Sequence, residues 1–173
     1  MKGRTKCVKV IKLIKSLRID ERLIHGQVAV TWCTYLGVDS IVVANDKTAT
    51  DEISTMSLKM AAPQSVKVAV RTIEDSIRLL NDSRMATRSV LVLVTNPKDA
   101  LQLIKNVPSI PDVNVGNYGM IDLSVERRII ATSLSIVDED IKSFMEIIRL
   151  RPQSNYQMTP TLNPVKLDEL IKK

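Results

Sequence analysis

The five residues Val90-Leu91-Val92-Leu93-Val94 decide the fold class. Every position is apolar and the valines are β-branched, so a strand built from them must be buried on both faces. Such a strand belongs inside a parallel sheet covered by helices, since an antiparallel sheet with one wet face would alternate apolar and polar residues. Working outward, comparable short runs stand at residues 10–17, 40–44, 66–70 and 112–115. Amphipathic stretches at 27–35, 50–61, 73–80 and 97–105 alternate with them. Further on, the pattern predicts a weak strand near 133–137, a helix over 138–150, a short strand near 155–158 and a last helix over 165–172. Strands alternating with helices over short connections predict an α/β protein: an open, mostly parallel, doubly wound sheet with helices on both faces. No repeat or linker divides residues 10–173, which read as a single domain.

Local chemistry sharpens several boundaries. Asn96-Pro97 places a capping side chain before a proline at the first helical position. Asp138-Glu139-Asp140 puts three acids where a helix dipole favours them. Gly37 suits the left-handed residue that ends the first helix.

The chain has 173 residues, 45% hydrophobic and 25% charged, as in an ordinary globular protein. Aromatic residues supply only 3%, so the core falls to Ile, Leu, Val and Met. The formal net charge of +6 invites a nucleic-acid reading. Four of the 25 basic residues, however, are Lys2, Arg4, Lys6 and Lys9, leaving 21 against 19 acids in the remainder. The excess belongs to the segment 1–9, read as either a disordered extension or the product of an early start codon, and no nucleic-acid partner is expected. Lysines break the apolar run at 10–15, too short for a secretory core or a membrane span. The expected location is therefore cytoplasmic, peripheral to a membrane only through partners. Cys7 and Cys33 match no metal or redox spacing and read as free thiols, Cys33 packed within a helix. No metal site and no nucleotide loop is present in the sequence, so no cofactor is expected.

The segment Arg18-Ile19-Asp20-Glu21-Arg22-Leu23-Ile24-His25-Gly26-Gln27 falls between the first strand and the first helix, and contains the only histidine. In an open α/β sheet, ligands bind beyond the carboxyl ends of the strands, where the strand order reverses. A phosphoryl-carrying histidine needs an unprotonated ring nitrogen and a partner for the other one. The transferred group is metaphosphate-like, so catalysis is positioning and electrostatics. Arg18 and Arg22 could match phosphate oxygens with guanidinium forks, Asp20 could orient an arginine or the imidazole, and amides at Gly26 and Gln27 could add donors. Read blandly, the same residues are a capping histidine and a surface ion pair worth at most ~1 kcal/mol. On the residues alone, this is an anion-friendly loop that contains a candidate nucleophile.

The eleven residues Arg18-Ile19-Asp20-Glu21-Arg22-Leu23-Ile24-His25-Gly26-Gln27-Val28 resemble the signature of the IIB components of the mannose–fructose–sorbose family, in the bacterial phosphoenolpyruvate-dependent sugar phosphotransferase system. The similarity continues through Val43-Ala44-Asn45-Asp46, Leu58-Lys59-Met60-Ala61-Ala62-Pro63 and Asn114-Val115-Gly116-Asn117. It implies an open, mostly parallel sheet with the active histidine in the first loop. It also implies a protein-phosphohistidine–sugar phosphotransferase: His25 accepts phosphate from a phosphorylated IIA component and passes it to a sugar translocated by the membrane components IIC and IID. Arg18 and Arg22 would line the phosphate. Self-association is left open by the resemblance. The chain departs from the family's pattern at Asn117-Tyr118-Gly119 and at Arg149-Leu150-Arg151-Pro152, where a glycine is common.

Other residues carry two readings each. Asn45 and Asp46 end a strand at the expected site edge, either bonding the site loop or merely capping the next helix. Asp51-Glu52 reads as a solvated helix start. Trp32, two turns beyond His25, reads as packing in preference to a docking surface. Met56 and Met60 read as core. Gly116 reads as a tight turn. Two competing functions remain: a non-enzymatic module holding a small anion or sugar phosphate, and a nucleic-acid binder working through the basic segment.

Overall fold

A computed structural model describes residues 14–122 and 124–172. The basic segment 1–9 lies outside the described residues. The chain runs β1 (Ile14–Asp20), α1 (Gly26–Leu36), β2 (Ser40–Ala44), α2 (Asp46–Ala49), α3 (Glu52–Ala61), β3 (Lys67–Arg71) and α4 (Ile73–Leu80). A 3-10 turn over Ser83–Thr87 leads to β4 (Val90–Val94), α5 (Pro97–Asn106) and β5 (Val113–Asn117). The chain finishes with β6 (Arg128–Ala131), β7 (Leu134–Ile136), α6 (Asp138–Leu150), β8 (Asn155–Tyr156), β9 (Val165–Lys166) and α7 (Leu167–Ile171).

Among the described residues, seven strands form one sheet in the order β3-β2-β4-β1-β5-β8-β9. All neighbours are parallel except β8 and β9. The expected mostly parallel α/β architecture is the one observed. All five residues of β4 are buried, and they alternate between two cores. Val90, Val92 and Val94 join Leu103, Ile104, Phe144 and Ile147, the side covered by α5 and α6. Leu91 and Leu93 join Leu23, Ile24, Trp32 and Cys33, the side covered by α1. Each such side chain contributes about 1.5–3 kcal/mol by leaving water, which is why this run can form only a central strand.

The expected caps are present. Gly37 ends α1 with φ 62°. Asn96 accepts a bond from the Asp99 amide at 2.8 Å, ahead of Pro97. Asp140 accepts from the Val137 amide at 3.1 Å at the start of α6.

Four expectations need correction. The first strand runs on to Asp20, so Arg18 and Asp20 are strand residues and the loop proper is Glu21–His25. The stretch 50–61 is a helix only from Glu52, because Asp51 is its N-cap and accepts from the Ile53 amide, while Asp46–Ala49 is a separate turn of helix. The last helix begins at Leu167, since Val165 and Lys166 pair with β8. Met56 and Met60 are 64% and 80% exposed. The Asp51 cap and a bond from Thr55 Oγ1 to the Thr48 carbonyl set α3's rotation, so Leu58 packs inward and the methionines face out. Strand β6, antiparallel to β7, had no expected counterpart.

Candidate functional site

The site grows from the carboxyl end of β1. Arg18 is 2% exposed and Asp20 is fully buried, an arrangement that costs several kcal/mol per ion unless every donor and acceptor is matched. Nearly all of them are. The Arg18 Nη2 donates to Asp20 Oδ2 at 3.0 Å and to the Met158 carbonyl at 3.1 Å. Its Nη1 donates to the Gln157 carbonyl at 3.0 Å and to Asn114 Oδ1. The guanidinium also lies 4.8 Å from the Trp32 ring centroid. Burial pulls the Arg18 guanidinium below its ordinary pKa, and the neighbouring Asp20 carboxylate opposes that shift.

Gly116 makes this possible. It belongs to β5, and a Cβ there would occupy the space of the Arg18 guanidinium. The expected tight turn is thus a strand residue serving close approach. The expected packing role of Trp32 holds, at 4% exposed. Its Nε1 donates to the same Met158 carbonyl at 3.3 Å.

Asp20 shapes the loop. Its Oδ1 accepts from the Arg22 amide at 3.2 Å and from Arg22 Nε at 3.3 Å, an Asx-type turn that folds Arg22 back over the strand end. Arg22 remains 44% exposed, and its two Nη groups make no bond among the described residues. The fork of Arg18 is taken up by the protein, whereas that of Arg22 is left for solvent or a ligand. Leu23 donates its amide to the Asp20 carbonyl at 2.9 Å and adopts φ 55°, a left-handed conformation that costs a branched side chain roughly 1–2 kcal/mol.

His25 is the N-cap of α1, in extended backbone, with no side-chain cap bond. Its Nδ1 lies 3.0 Å from the Leu23 carbonyl, while Nε2 faces inward without a partner among the described residues. Gly26 follows with φ 33°, and it opens the helix with Gln27, so their amides are among those a helix start leaves unpaired.

Several residues at the site had no individual role in the sequence reading. Glu21 Oε2 accepts from the amides of Met120 and Ile121 at 3.0 and 3.3 Å, clipping the loop after β5 to the site loop. Asn114 and the carbonyls of Gln157 and Met158 hold Arg18. Glu21 and Asn114 lie within the family-like stretches of sequence, whereas backbone carbonyls carry no sequence signal at all. Asn45 and Asp46 do not bond the site loop. Asn45 Oδ1 caps α2 by accepting from the Thr48 amide at 2.9 Å, while its Nδ2 donates to Thr95 Oγ1 at 3.0 Å. Asp46 turns to the Ile73 amide at 2.8 Å.

The late departures have structural explanations. Tyr118 donates to Asp140 at 2.9 Å and meets Phe144 edge-on, and burial raises its phenol pKa. Arg151, at the end of α6, donates to the Ile110 carbonyl at 2.7 Å and the Leu150 carbonyl at 2.9 Å, so its side chain satisfies backbone where a glycine cap is absent. A cavity of about 540 Å³ lies between residues 125–128 and 136–139, and none of the residues around His25 lines it. Among the described residues, no helix is long and apolar enough to cross a membrane.

Residues 14–173 match the family described as the PTS system sorbose subfamily IIB component. A probable phosphotransferase enzyme IIB component of Streptococcus pyogenes serotype M6 is 38% identical over 162 residues, covering 92% of this chain and 99% of the relative. The N-acetylgalactosamine-specific phosphotransferase enzyme IIB component 2 of Escherichia coli K12 is 33% identical over 155 residues, covering 89% and 96%. The crystal structure of the IIBSor domain of the sorbose permease from Klebsiella pneumoniae superposes with a TM-score of 0.85 at 27% identity, covering 92% of this chain and 96% of that one.

Proposed function

The chain belongs to the sorbose-subfamily IIB components of the phosphotransferase system and so has a phosphotransfer role in sugar uptake, and from that premise we propose that His25 is the residue that carries the phosphoryl group. The observation that supports this reading is a histidine at a helix start, three residues after an arginine, Arg22, whose Nη groups are unspent among the described residues.

The donor is a phosphorylated IIA component, bearing its phosphoryl group on a histidine whose other ring nitrogen is protonated. The His25 ring first turns away from the Leu23 carbonyl and presents a nitrogen lone pair. That nitrogen bonds to phosphorus as the donor's N–P bond breaks. The donor leaves as neutral imidazole, and His25 becomes a phosphoryl imidazolium, so charge and protons balance. Arg22 and the amides of Gly26 and Gln27 face the three equatorial oxygens, where charge accumulates. Arg18 acts at one remove: it holds Asp20, and Asp20 holds Arg22. In the second transfer, a hydroxyl of a sugar presented by the membrane components IIC and IID attacks phosphorus. The N–P bond breaks, His25 returns to its neutral form, and the hydroxyl proton leaves to solvent.

Incubation with a radiolabelled phospho-IIA protein tests the proposal. The wild-type chain should gain acid-labile phosphate and one phosphoryl unit of intact mass, and His25→Ala should gain neither. Labelling of His25→Ala to the wild-type level refutes the assignment. Reversible anion binding without any mass gain would instead identify a passive binding module.

A further inference from the structure

Thr95 directly follows β4, the strand beside β1. Its Oγ1 accepts from Asn45 Nδ2 at 3.0 Å and from Asn96 Nδ2 at 3.3 Å. The orientation of both amides is dictated by other bonds. Asn45 Oδ1 accepts from the Thr48 amide and Asn96 Oδ1 from the Asp99 amide, so each side chain must turn its NH₂ group toward Thr95. A hydroxyl has two lone pairs and one proton. Both lone pairs of Thr95 are filled, and its proton has no acceptor among the described residues. The half-buried hydroxyl is therefore held as a donor by its surroundings.

Its position is equally defined. Ile19 pairs with Val94, so Thr95 lies level with Asp20 on the adjacent strand. Leu91 and Leu93 share a core with Leu23 and Ile24, and continuing that alternation brings Thr95 to the side of the sheet where the His25 loop runs. The chain leaves β1 through α1 toward β2, and leaves β4 through α5 toward β5, so the strand order reverses between these two strands. That is the crevice where an open α/β sheet binds its ligand.

We infer that the Thr95 hydroxyl donates a hydrogen bond to an oxygen of the phosphoryl group carried by His25, with Asn45 and Asn96 as the residues that aim it. The inference rests on His25 being the carrier. It also gives Asn45 a place at the site, as a positioning residue acting through Thr95.

The test compares the wild-type chain, Thr95→Val and Thr95→Ser in transfer from radiolabelled phospho-IIA, with His25→Ala as control. Loss of one donor to a charged oxygen should slow Thr95→Val about tenfold or more, and Thr95→Ser should stay within roughly threefold of wild type. A ³¹P titration of the phosphorylated proteins separates donation from mere packing. A lost donor raises the pKa of the phosphoryl group in Thr95→Val and leaves it unchanged in Thr95→Ser, whereas a packing role moves only thermal stability. Wild-type rate and phosphoryl pKa in Thr95→Val would overturn the inference while leaving the carrier intact. An unlabelled wild type, or a labelled His25→Ala, would remove both readings together.

Discussion

Gly116 and Arg18 compete for one piece of space, and the absence of a single methyl group decides which of them has it. Gly116→Ala forces the guanidinium from its four acceptors and leaves Asp20 buried without its main partner. Overpacking alone costs 1–3 kcal/mol, and a broken buried pair costs more, so the variant should lose about 3 kcal/mol of stability in chemical denaturation. A loss below ~1 kcal/mol would show that Arg18 has another place to go. The sequence could not reveal this relation. Charged residues read as loop, so the apolar pattern ends the first strand at Leu17. The burial of Arg18 and Asp20 is tolerable only because Asn114, Gln157 and Met158, distant in the chain, complete the hydrogen bonds. His25 and Arg22 could be proposed from the sequence because an imidazole and a guanidinium three residues apart mark an anion-friendly loop whatever their tertiary partners.

At the scale of elements, those whose signals are local were the easiest to read. Helices α4 and α6 have the bounds the pattern predicts, with Thr72 accepting from the Asp75 amide at 3.1 Å and Asp140 from the Val137 amide at 3.1 Å. Helix α3 misled, because Met56 and Met60, spaced to read as core, are turned outward by the caps. Helix α1 makes a testable contribution through Cys33, which is 4% exposed and whose thiol is pushed up to about 11 by burial. The folded state then keeps its thiol proton at a pH where the unfolded chain, with the ordinary value of 9.0, releases it. The folded form binds more protons there, so stability should fall as pH rises from about 9 and level off beyond about 11, by at most ~2–3 kcal/mol. Denaturation midpoints of Cys33→Ala should show a shallower decline across that interval. An equal slope in both proteins would place the titrating group elsewhere.

For the molecule as a whole, the alternation of strands and helices predicts the layers but not the order of the strands. Nothing local says that β4 sits between β2 and β1, yet that order sets the carboxyl ends of β1 and β4 side by side. Those ends carry the Glu21–His25 loop and Thr95. Nor does the sequence announce that the segment after β8 returns to hold Arg18 and Trp32 through the Met158 carbonyl, binding the end of the chain to its first strand. The strand order thus brings several elements to the loop that carries His25, the residue proposed to bear the phosphoryl group. The most direct measurement is site mapping of the protein phosphorylated through a complete phosphoenolpyruvate-driven cascade, kept at alkaline pH and fragmented by electron transfer. One phosphoryl group on the peptide bearing His25, and none elsewhere, is the predicted result; a phosphoryl group on any other residue, or none at all, would contradict it.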